Sequence, residues 1–77
     1  STLLHQVLVV GVGSIGERHV RCFKATGRAH ISICEVNTAL RQKVAQQYNI
    51  QHHFDNLPEA LDQGPGTVVI AVPAQLH

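Results

Sequence analysis

Three features of the sequence predict an α/β fold with a parallel sheet. Apolar, β-branched runs recur along the chain, and such runs suit strands that are buried on both faces of a parallel sheet. Segments with helical periodicity separate these runs. Glycine, asparagine or proline stands at most of the junctions, where strands and helices end. The expected order is β-α-β-α-(β)-α-β, with right-handed crossovers between parallel strands.

The first strand, first helix and second strand are each expected from a local pattern. The run Q-V-L-V-V-G over residues 6–11 predicts the first strand. A helix is expected from Ser14 to a stop at Gly27. Its apolar stripe is expected to consist of Ile15, His19, Cys22 and Phe23. The run I-S-I-C-E-V over residues 31–36 predicts the second strand.

The second half of the chain continues the alternation. Asn37 can cap a second helix, and Asn49 suits its left-handed end. The stripe expected on this helix consists of Leu40, Val44, Ala45 and Tyr48. We expect a short strand over 52–54, a short helix over 58–61 and a last buried strand over 67–72.

Composition excludes several classes of protein. The 77 residues make at most one small domain, and a composition of 44% hydrophobic and 14% charged residues indicates a globular core rather than a disordered chain. The net charge of +1 disfavours a nucleic-acid partner. The apolar runs are too short to cross a bilayer, and no secretory signal pattern begins the sequence. A cytoplasmic location without membrane contact is therefore expected.

The cysteines and paired histidines are not expected to carry chemistry. Cys22 and Cys34 form no disulfide framework, and neither has a neighbouring base that would activate a thiolate. His52 and His53 point to opposite faces if they lie in a strand, so they cannot easily share one ion. His19 is expected to be a packed helix residue. No metal site is predicted.

The segment G-V-G-S-I-G over residues 11–16 predicts a dinucleotide-binding loop, because it joins a strand to a helix. Gly11 allows the tight turn, Gly13 leaves room for a pyrophosphate, and Gly16 lets the helix pack closely. The N–H groups around Ser14 and Ile15 are expected to face the anion. The alternative is a flexible turn without a ligand, which leaves two of the glycines unexplained. A P-loop is disfavoured because no Lys-Ser or Lys-Thr follows.

An acid follows the loop at the expected distance. Glu35 lies nineteen positions after Gly16 and can accept hydrogen bonds from both hydroxyls of the adenosine ribose. Its charge would repel a 2′-phosphate, so NAD is expected rather than NADP. The alternatives are an exposed strand-end charge and, less favoured, an FAD site, since no glycine pair follows. Arg41 could help hold a 2′-phosphate, but a solvated helix residue is the simpler interpretation.

Two longer segments carry a family pattern. They are G-V-G-S-I-G-E-R-H over residues 11–19 and T-V-V-I-A-V-P-A-Q-L-H over residues 67–77, with L-P-E-A-L over 57–61 between them. Together they resemble the Gfo/Idh/MocA oxidoreductases, which include glucose–fructose oxidoreductase and inositol 2-dehydrogenase. The resemblance spans nearly the whole chain and implies a partial Rossmann fold that binds NAD.

The resemblance also implies a cleft and a reaction. Ala71, Val72 and Pro73 would line the dinucleotide cleft, with His77 nearby. The reaction would transfer hydride between nicotinamide and a hydroxyl-bearing carbon of a sugar or cyclitol-like substrate. The family's general base is a lysine in a Glu-Lys-Pro motif, which this sequence lacks. No catalytic residue is therefore assigned to this chain.

The missing motif bears on domain organisation. We expect residues 1–77 to be the first part of a dinucleotide-binding domain. The rest of that domain, and a substrate domain through which a homo-oligomer would form, are expected outside this chain. The alternative function is a non-catalytic module that senses a dinucleotide and regulates a partner, because the same loop serves both purposes.

Overall fold

The computed structural model describes residues 5–71 and contains one four-stranded parallel sheet. The strands are β1 (His5–Val10), β2 (Ala29–Cys34), β3 (His52–Phe54) and β4 (Thr67–Ile70). The helices are α1 (Ser14–Thr26), α2 (Thr38–Gln47) and α3 (Leu57–Asp62). The predicted α/β class, parallel sheet and order of elements are confirmed.

The sheet order is β3-β2-β1-β4, so β1 lies between two partners. Its residues Val7, Leu8 and Val9 are buried, as the continuous apolar run predicts. The register pairs each residue of His5–Val10 with one of Ala29–Cys34. Because β1 begins at residue 5, the backbone of residues 29 and 30 finds pairing partners, and β2 starts two residues before its predicted start.

The two faces of the sheet are covered unequally. On one face α1 and α2 contribute to the larger core, which consists of Val7, Val9, Val12, Val20, Ile31, Ile33, Val44, Ala45 and Ile50. On the other face Ala60 of α3 packs with Leu8 and Cys34 in a smaller core. The alternation of residues along β1 and β2 divides their side chains between these two cores.

The predicted apolar stripe of α1 is wrong in two of its four members. Ile15 is 60% exposed and Cys22 is exposed. The buried residues of α1 are Gly16 and Val20, and Phe23 is partly buried against the larger core. α1 packs against the end of β1 at Gly16, a residue that hydrophobic periodicity does not identify as buried. This contact directs Ile15 toward solvent.

The prediction of a buried last strand is also wrong for the described part of that strand. Val68 and Ile70 are 40% and 61% exposed. Within residues 5–71, β4 is an edge strand that pairs with β1 alone. An apolar run predicts a buried strand. The run alone does not show which other element packs against that strand.

The predicted helix ends are confirmed at atomic detail. The side chain of Asn37 accepts a hydrogen bond from the N–H of Leu40 at the start of α2. Gly27 and Asn49 have positive φ angles of 67° and 56° after α1 and α2. None of the helices within residues 5–71 is long and apolar enough to span a bilayer.

Candidate functional site

The strand order creates a crevice beside the end of β1. From β1 the chain moves to β2 and then β3 on one side, whereas β4 pairs with β1 on the other side. Ligands of open parallel sheets bind outside the carboxyl ends of the strands, where the order reverses in this way. The glycine-rich loop of residues 11–16 begins at this point.

The glycines at the two ends of the loop have conformational roles. Gly11 has a φ of 88°, which side-chain-bearing residues rarely adopt. At Gly16, a Cβ atom would overlap the carbonyl oxygen of Gly11 and lie 2.7 Å from its carbonyl carbon. The predicted turn at Gly11 and close packing at Gly16 are confirmed. Their part in binding a cofactor stays a prediction.

Gly13 has different surroundings. Its φ of −66° is open to any residue, and a Cβ atom placed on it would have no atom of residues 5–71 within 4 Å apart from its chain neighbours. It is the N-cap of α1, and within residues 5–71 no side chain makes a capping hydrogen bond there. Ser14 and Ile15 are exposed beside it. The start of α1 therefore presents backbone N–H groups next to open space.

Glu35 connects the end of β2 to this loop. Its Oε1 accepts a hydrogen bond of 3.0 Å from the N–H of Val12, and its Oε2 accepts one of 3.0 Å from Asn37. Its own N–H donates to the carbonyl of Phe54 at 2.9 Å. The acid predicted nineteen positions after the last glycine thus lies against the glycine-rich loop, on the same edge of the sheet.

A narrow groove of about 190 Å³ opens beside Glu35. Its lining includes Val10, Cys34, Val36 and Leu57. Val36 is 78% exposed and Leu57 is 39% exposed, so two apolar side chains at the groove remain in contact with solvent. Sequence reasoning missed this groove. The available signal was the apolar residue directly after the acid, Val36, which the sequence pattern places at the end of the second strand, whereas β2 ends at Cys34.

Arg41 also differs from its prediction as a solvated residue. It is half-buried, and its Nη1 donates a hydrogen bond of 3.0 Å to the backbone carbonyl of Glu35. Its Nε donates to Nδ1 of His53 at 3.3 Å. The first turn of α2 brings the guanidinium back to the end of β2, which explains the difference.

The thiol of Cys34 is not suited to nucleophilic chemistry. Burial raises its pKa, and the negative charges of Glu35 and Asp55 raise it further, whereas Arg41 lowers it. The thiol therefore stays protonated at neutral pH. This agrees with the expectation that Cys34 carries no chemistry, and the side chain is buried.

The remaining predicted residues are placed only in part. Ala71 is buried, donates its N–H to the carbonyl of Val10 at 2.8 Å, and would lie 3.5 Å from a Cβ atom on Gly16. Val72 and Pro73, predicted to line the cleft, lie outside the described residues, as does His77. His19 is half-buried. In the described part of the chain no three potential metal ligands are grouped together.

Comparison with known protein families identifies the family of this chain. A model of the oxidoreductase family with an NAD-binding Rossmann fold matches residues 5–77. The chain belongs to the Gfo/Idh/MocA oxidoreductase family. The predicted resemblance is confirmed, and the predicted cofactor, NAD, is the one bound by this family's fold. No curated protein sequence matches this family member significantly.

Solved oxidoreductase structures share the fold. The WlbA dehydrogenase from Bordetella pertussis, in complex with NADH and UDP-GlcNAcA, has a TM-score of 0.81 and 28% identity over 96% of this chain and 23% of its own. An Agrobacterium radiobacter oxidoreductase in complex with NAD+, L-tartaric acid and magnesium has a TM-score of 0.82 and 22% identity over 100% and 22%. Prephenate dehydrogenase from A. aeolicus, in complex with NAD+ and hydroxyphenyl propionate, has a TM-score of 0.83 and 22% identity over 97% and 27%.

The last two structures are 22% identical to this chain, so their similarity shows a common fold and nothing more. Each of the three proteins is much longer than this chain, which spans about a quarter of their length or less. Since proteins with different ligands share the same fold here, the fold does not determine the substrate.

Proposed function

We propose that this chain binds NAD across the carboxyl edge of its sheet as the cofactor-binding part of a dehydrogenase. The observation that supports this most is the hydrogen bond between the Glu35 carboxylate and the N–H of Val12. It brings an acid suited to the ribose into contact with a loop suited to the pyrophosphate. A glycine-rich turn without a ligand gives no reason for this contact.

The pyrophosphate would lie against Gly13, because the open space there is the room that a Cβ atom would reduce. The N–H groups of Ser14 and Ile15 at the start of α1 would face it, and the helix dipole would favour its negative charge. Gly11 and Gly16 would maintain the backbone conformation of the loop, and neither has a side chain that could contact the cofactor.

The adenosine would occupy the edge between β2 and α3. Both oxygens of Glu35 accept a backbone N–H, but an ionised carboxylate has about four lone-pair positions, so it can also accept from ribose hydroxyls. The groove between Val36 and Leu57 offers apolar side chains to the flat adenine ring. Ala71, Val72 and Pro73 would line the cleft further along the cofactor.

The negative charge of Glu35 supports NAD over NADP, because it would repel the 2′-phosphate of NADP. The bound cofactor supplies the chemistry, which is hydride transfer at its nicotinamide ring. The residues of this chain bind and orient the dinucleotide, and none of them is assigned to proton transfer.

We propose a hydroxyl-bearing sugar or cyclitol as the substrate class. The support is family membership together with the UDP-GlcNAcA bound by the WlbA dehydrogenase. The substrate contacts, the general base and any oligomer interface would belong to other segments of a longer protein, in which residues 1–77 form the first part of the dinucleotide-binding domain.

Calorimetric titration of the complete protein with NADH and NADPH tests the cofactor proposal. We expect NADH to bind more tightly by about tenfold or more, as a single charged contact can supply. Failure of both dinucleotides to bind would overturn the proposal. Equal affinities would remove the role given to Glu35 while leaving the glycine-rich loop in place.

A further inference from the structure

Glu17 places a carboxylate in the first turn of α1, directly after the glycine-rich loop. Its own N–H donates to the carbonyl of Gly13 at 2.7 Å, and this bond begins the hydrogen-bond ladder of the helix. The N–H groups of Ser14–Gly16 therefore have no partner inside the helix. Within residues 5–71 no side chain caps them either.

A carboxylate at this position would by default be directed at those free N–H groups. The side chains of a helix lean toward its N-terminus, and a negative charge is favoured there by the helix dipole. A bound pyrophosphate would need the same N–H groups and would be repelled by the carboxylate. An acid at position 17 thus conflicts with anion binding unless another contact holds its side chain elsewhere.

Tyr48 makes such a contact with Glu17. The Tyr48 hydroxyl donates a hydrogen bond of 3.0 Å to Oε2 of Glu17, although the two residues are 31 positions apart in the sequence. Both side chains are half-buried. The ring of Tyr48 packs against the larger core, which fixes the position of the hydroxyl.

The location of Tyr48 determines the direction in which the carboxylate is held. α2 begins at the carboxyl edge of the sheet, where Asn37 donates its N–H to Glu35. It runs toward the opposite edge, from which β3 starts, and Tyr48 follows its last residue. The hydrogen bond therefore draws the Glu17 carboxylate along α1 and away from the glycine-rich loop.

The protonation of Tyr48 suits it to this contact. Burial raises the pKa of its hydroxyl, and the hydrogen bond to Glu17 and the negative charge of Glu17 raise it further, whereas Arg21 lowers it. The hydroxyl therefore keeps its proton at neutral pH and remains a donor to the carboxylate.

We propose that Tyr48 is a positioning residue of the cofactor site, which holds the Glu17 carboxylate aside so that the start of α1 is free for the dinucleotide pyrophosphate. Tyr48 then acts on the ligand through Glu17 and without touching it. This inference rests on the proposed dinucleotide site.

The competing explanation is that Tyr48 only holds α1 and α2 together. The two roles differ in their dependence on charge. Loss of packing would weaken the binding of every adenosine ligand, whatever residue stands at position 17. A released carboxylate would weaken only ligands that carry the pyrophosphate, and only while position 17 is an acid.

The experiment compares ADP with adenosine as competitors of bound NADH in the complete protein. These probes differ by the pyrophosphate group, and the ratio of their affinities on one variant does not depend on the folded fraction of the sample. The variants are Tyr48→Phe, Glu17→Gln and the two combined. Asp62→Asn, combined with Tyr48→Phe, is the matched control, because Asp62 is an exposed acid at the end of α3 and its removal changes the net charge equally.

We expect Tyr48→Phe to lower the affinity for ADP relative to adenosine by about fivefold, since phenylalanine keeps the ring but releases the carboxylate. Adding Glu17→Gln should return this ratio to at least about half of its original value. Glu17→Gln alone should change it less than about twofold, because the carboxylate is already held aside. Adding Asp62→Asn should leave the ratio low, since a distant exposed charge contributes little.

Three results would overturn the inference while leaving the proposed function intact. One is an unchanged ratio in Tyr48→Phe. Another is a ratio that stays low when Glu17→Gln is added, or that Glu17→Gln raises equally with and without Tyr48, which would show that the two residues act independently. The third is an equal recovery with Asp62→Asn, which would indicate an effect of net charge. Failure of the unsubstituted protein to bind NADH would instead overturn the proposed function.

Discussion

Gly16 and Gly13 lie three residues apart in one loop, yet their surroundings are opposite. A Cβ atom on Gly16 would overlap the backbone of Gly11, whereas one on Gly13 would meet no atom of the described residues within 4 Å beyond its chain neighbours. One glycine is required by the fold. The other is not required by any contact within residues 5–71, and we propose that its role is to leave room for a ligand. We propose that this single motif contains one glycine for packing, Gly16, and one for binding, Gly13, and substitutions should separate the two roles.

The largest expected effect is that of Gly16→Ala. The added methyl group would force α1 away from the end of β1, and the surrounding backbone cannot move as a flexible side chain would. We expect the free energy of unfolding to fall by about 3 kcal/mol or more, measured by urea denaturation. A loss below about 1 kcal/mol would show that the helix can shift freely and would remove the contrast between the glycines.

In contrast to Gly16→Ala, Gly13→Val should affect the affinity for NADH much more than the free energy of unfolding. Its φ of −66° accepts a side chain, and no neighbouring atom of the described residues would clash with one, so the unfolding free energy should change by no more than about 1 kcal/mol, mainly through the poorer N-cap. Affinity for NADH should fall by about tenfold or more, because the side chain would occupy the space of the pyrophosphate. Gly13→Ala is the graded control and should lose less affinity than valine. Unchanged NADH affinity in both variants would contradict the ligand role.

Asn37→Ala should have a moderate effect on stability alone. The variant loses the side-chain hydrogen bond to the N–H of Leu40 but keeps the backbone N–H that donates to Glu35. We expect a loss of about 1 kcal/mol in unfolding free energy. NADH affinity of the folded protein should change less than about threefold, since the Glu35 carboxylate keeps both donors. A tenfold loss of affinity would show that the cap itself holds the site.

The smallest expected effect is a decline of stability in alkali. Burial first, and then the hydrogen bond to Glu17 of 3.0 Å, raise the pKa of Tyr48 above its usual 10.0. The folded state therefore holds this proton more tightly, and stability present below pH 10 is lost as the pH rises through the raised pKa. Cys34 acts in the same direction from its usual 9.0.

The substitution Tyr48→Phe separates these two groups. Thermal midpoints measured as a function of pH should fall less steeply above pH 10 in Tyr48→Phe than in the unsubstituted protein. The decline that begins near pH 9 should persist in this variant and disappear in Cys34→Ala. An identical slope above pH 10 in Tyr48→Phe would contradict the raised pKa of Tyr48.

The local signals in the sequence were sufficient for most of the fold. Asn37 and Gly27 end their helices as side-chain chemistry and backbone freedom predict. The spacing from Gly16 to Glu35 was enough to place the acid at the loop, because parallel strands bring their carboxyl ends to one edge. These inferences depend on a few neighbouring residues or on the sheet topology alone.

The errors occurred where tertiary contacts decide. Periodicity assigned Ile15 to the inner side of α1, but the contact at Gly16 determines which side faces the sheet. The apolar character of Val68 and Ile70 did not reveal their exposure at the sheet edge. Arg41 appeared to be a surface charge because the sequence does not show that the helix returns it to Glu35.

A crystal structure of the complete protein with NADH tests the central claim most directly. The account predicts the pyrophosphate against the backbone of Gly13 and at least one ribose hydroxyl within hydrogen-bonding distance of the Glu35 carboxylate, about 2.5–3.0 Å. A cofactor whose pyrophosphate lies away from the glycine-rich loop, or whose adenosine ribose makes no contact with Glu35, would contradict it.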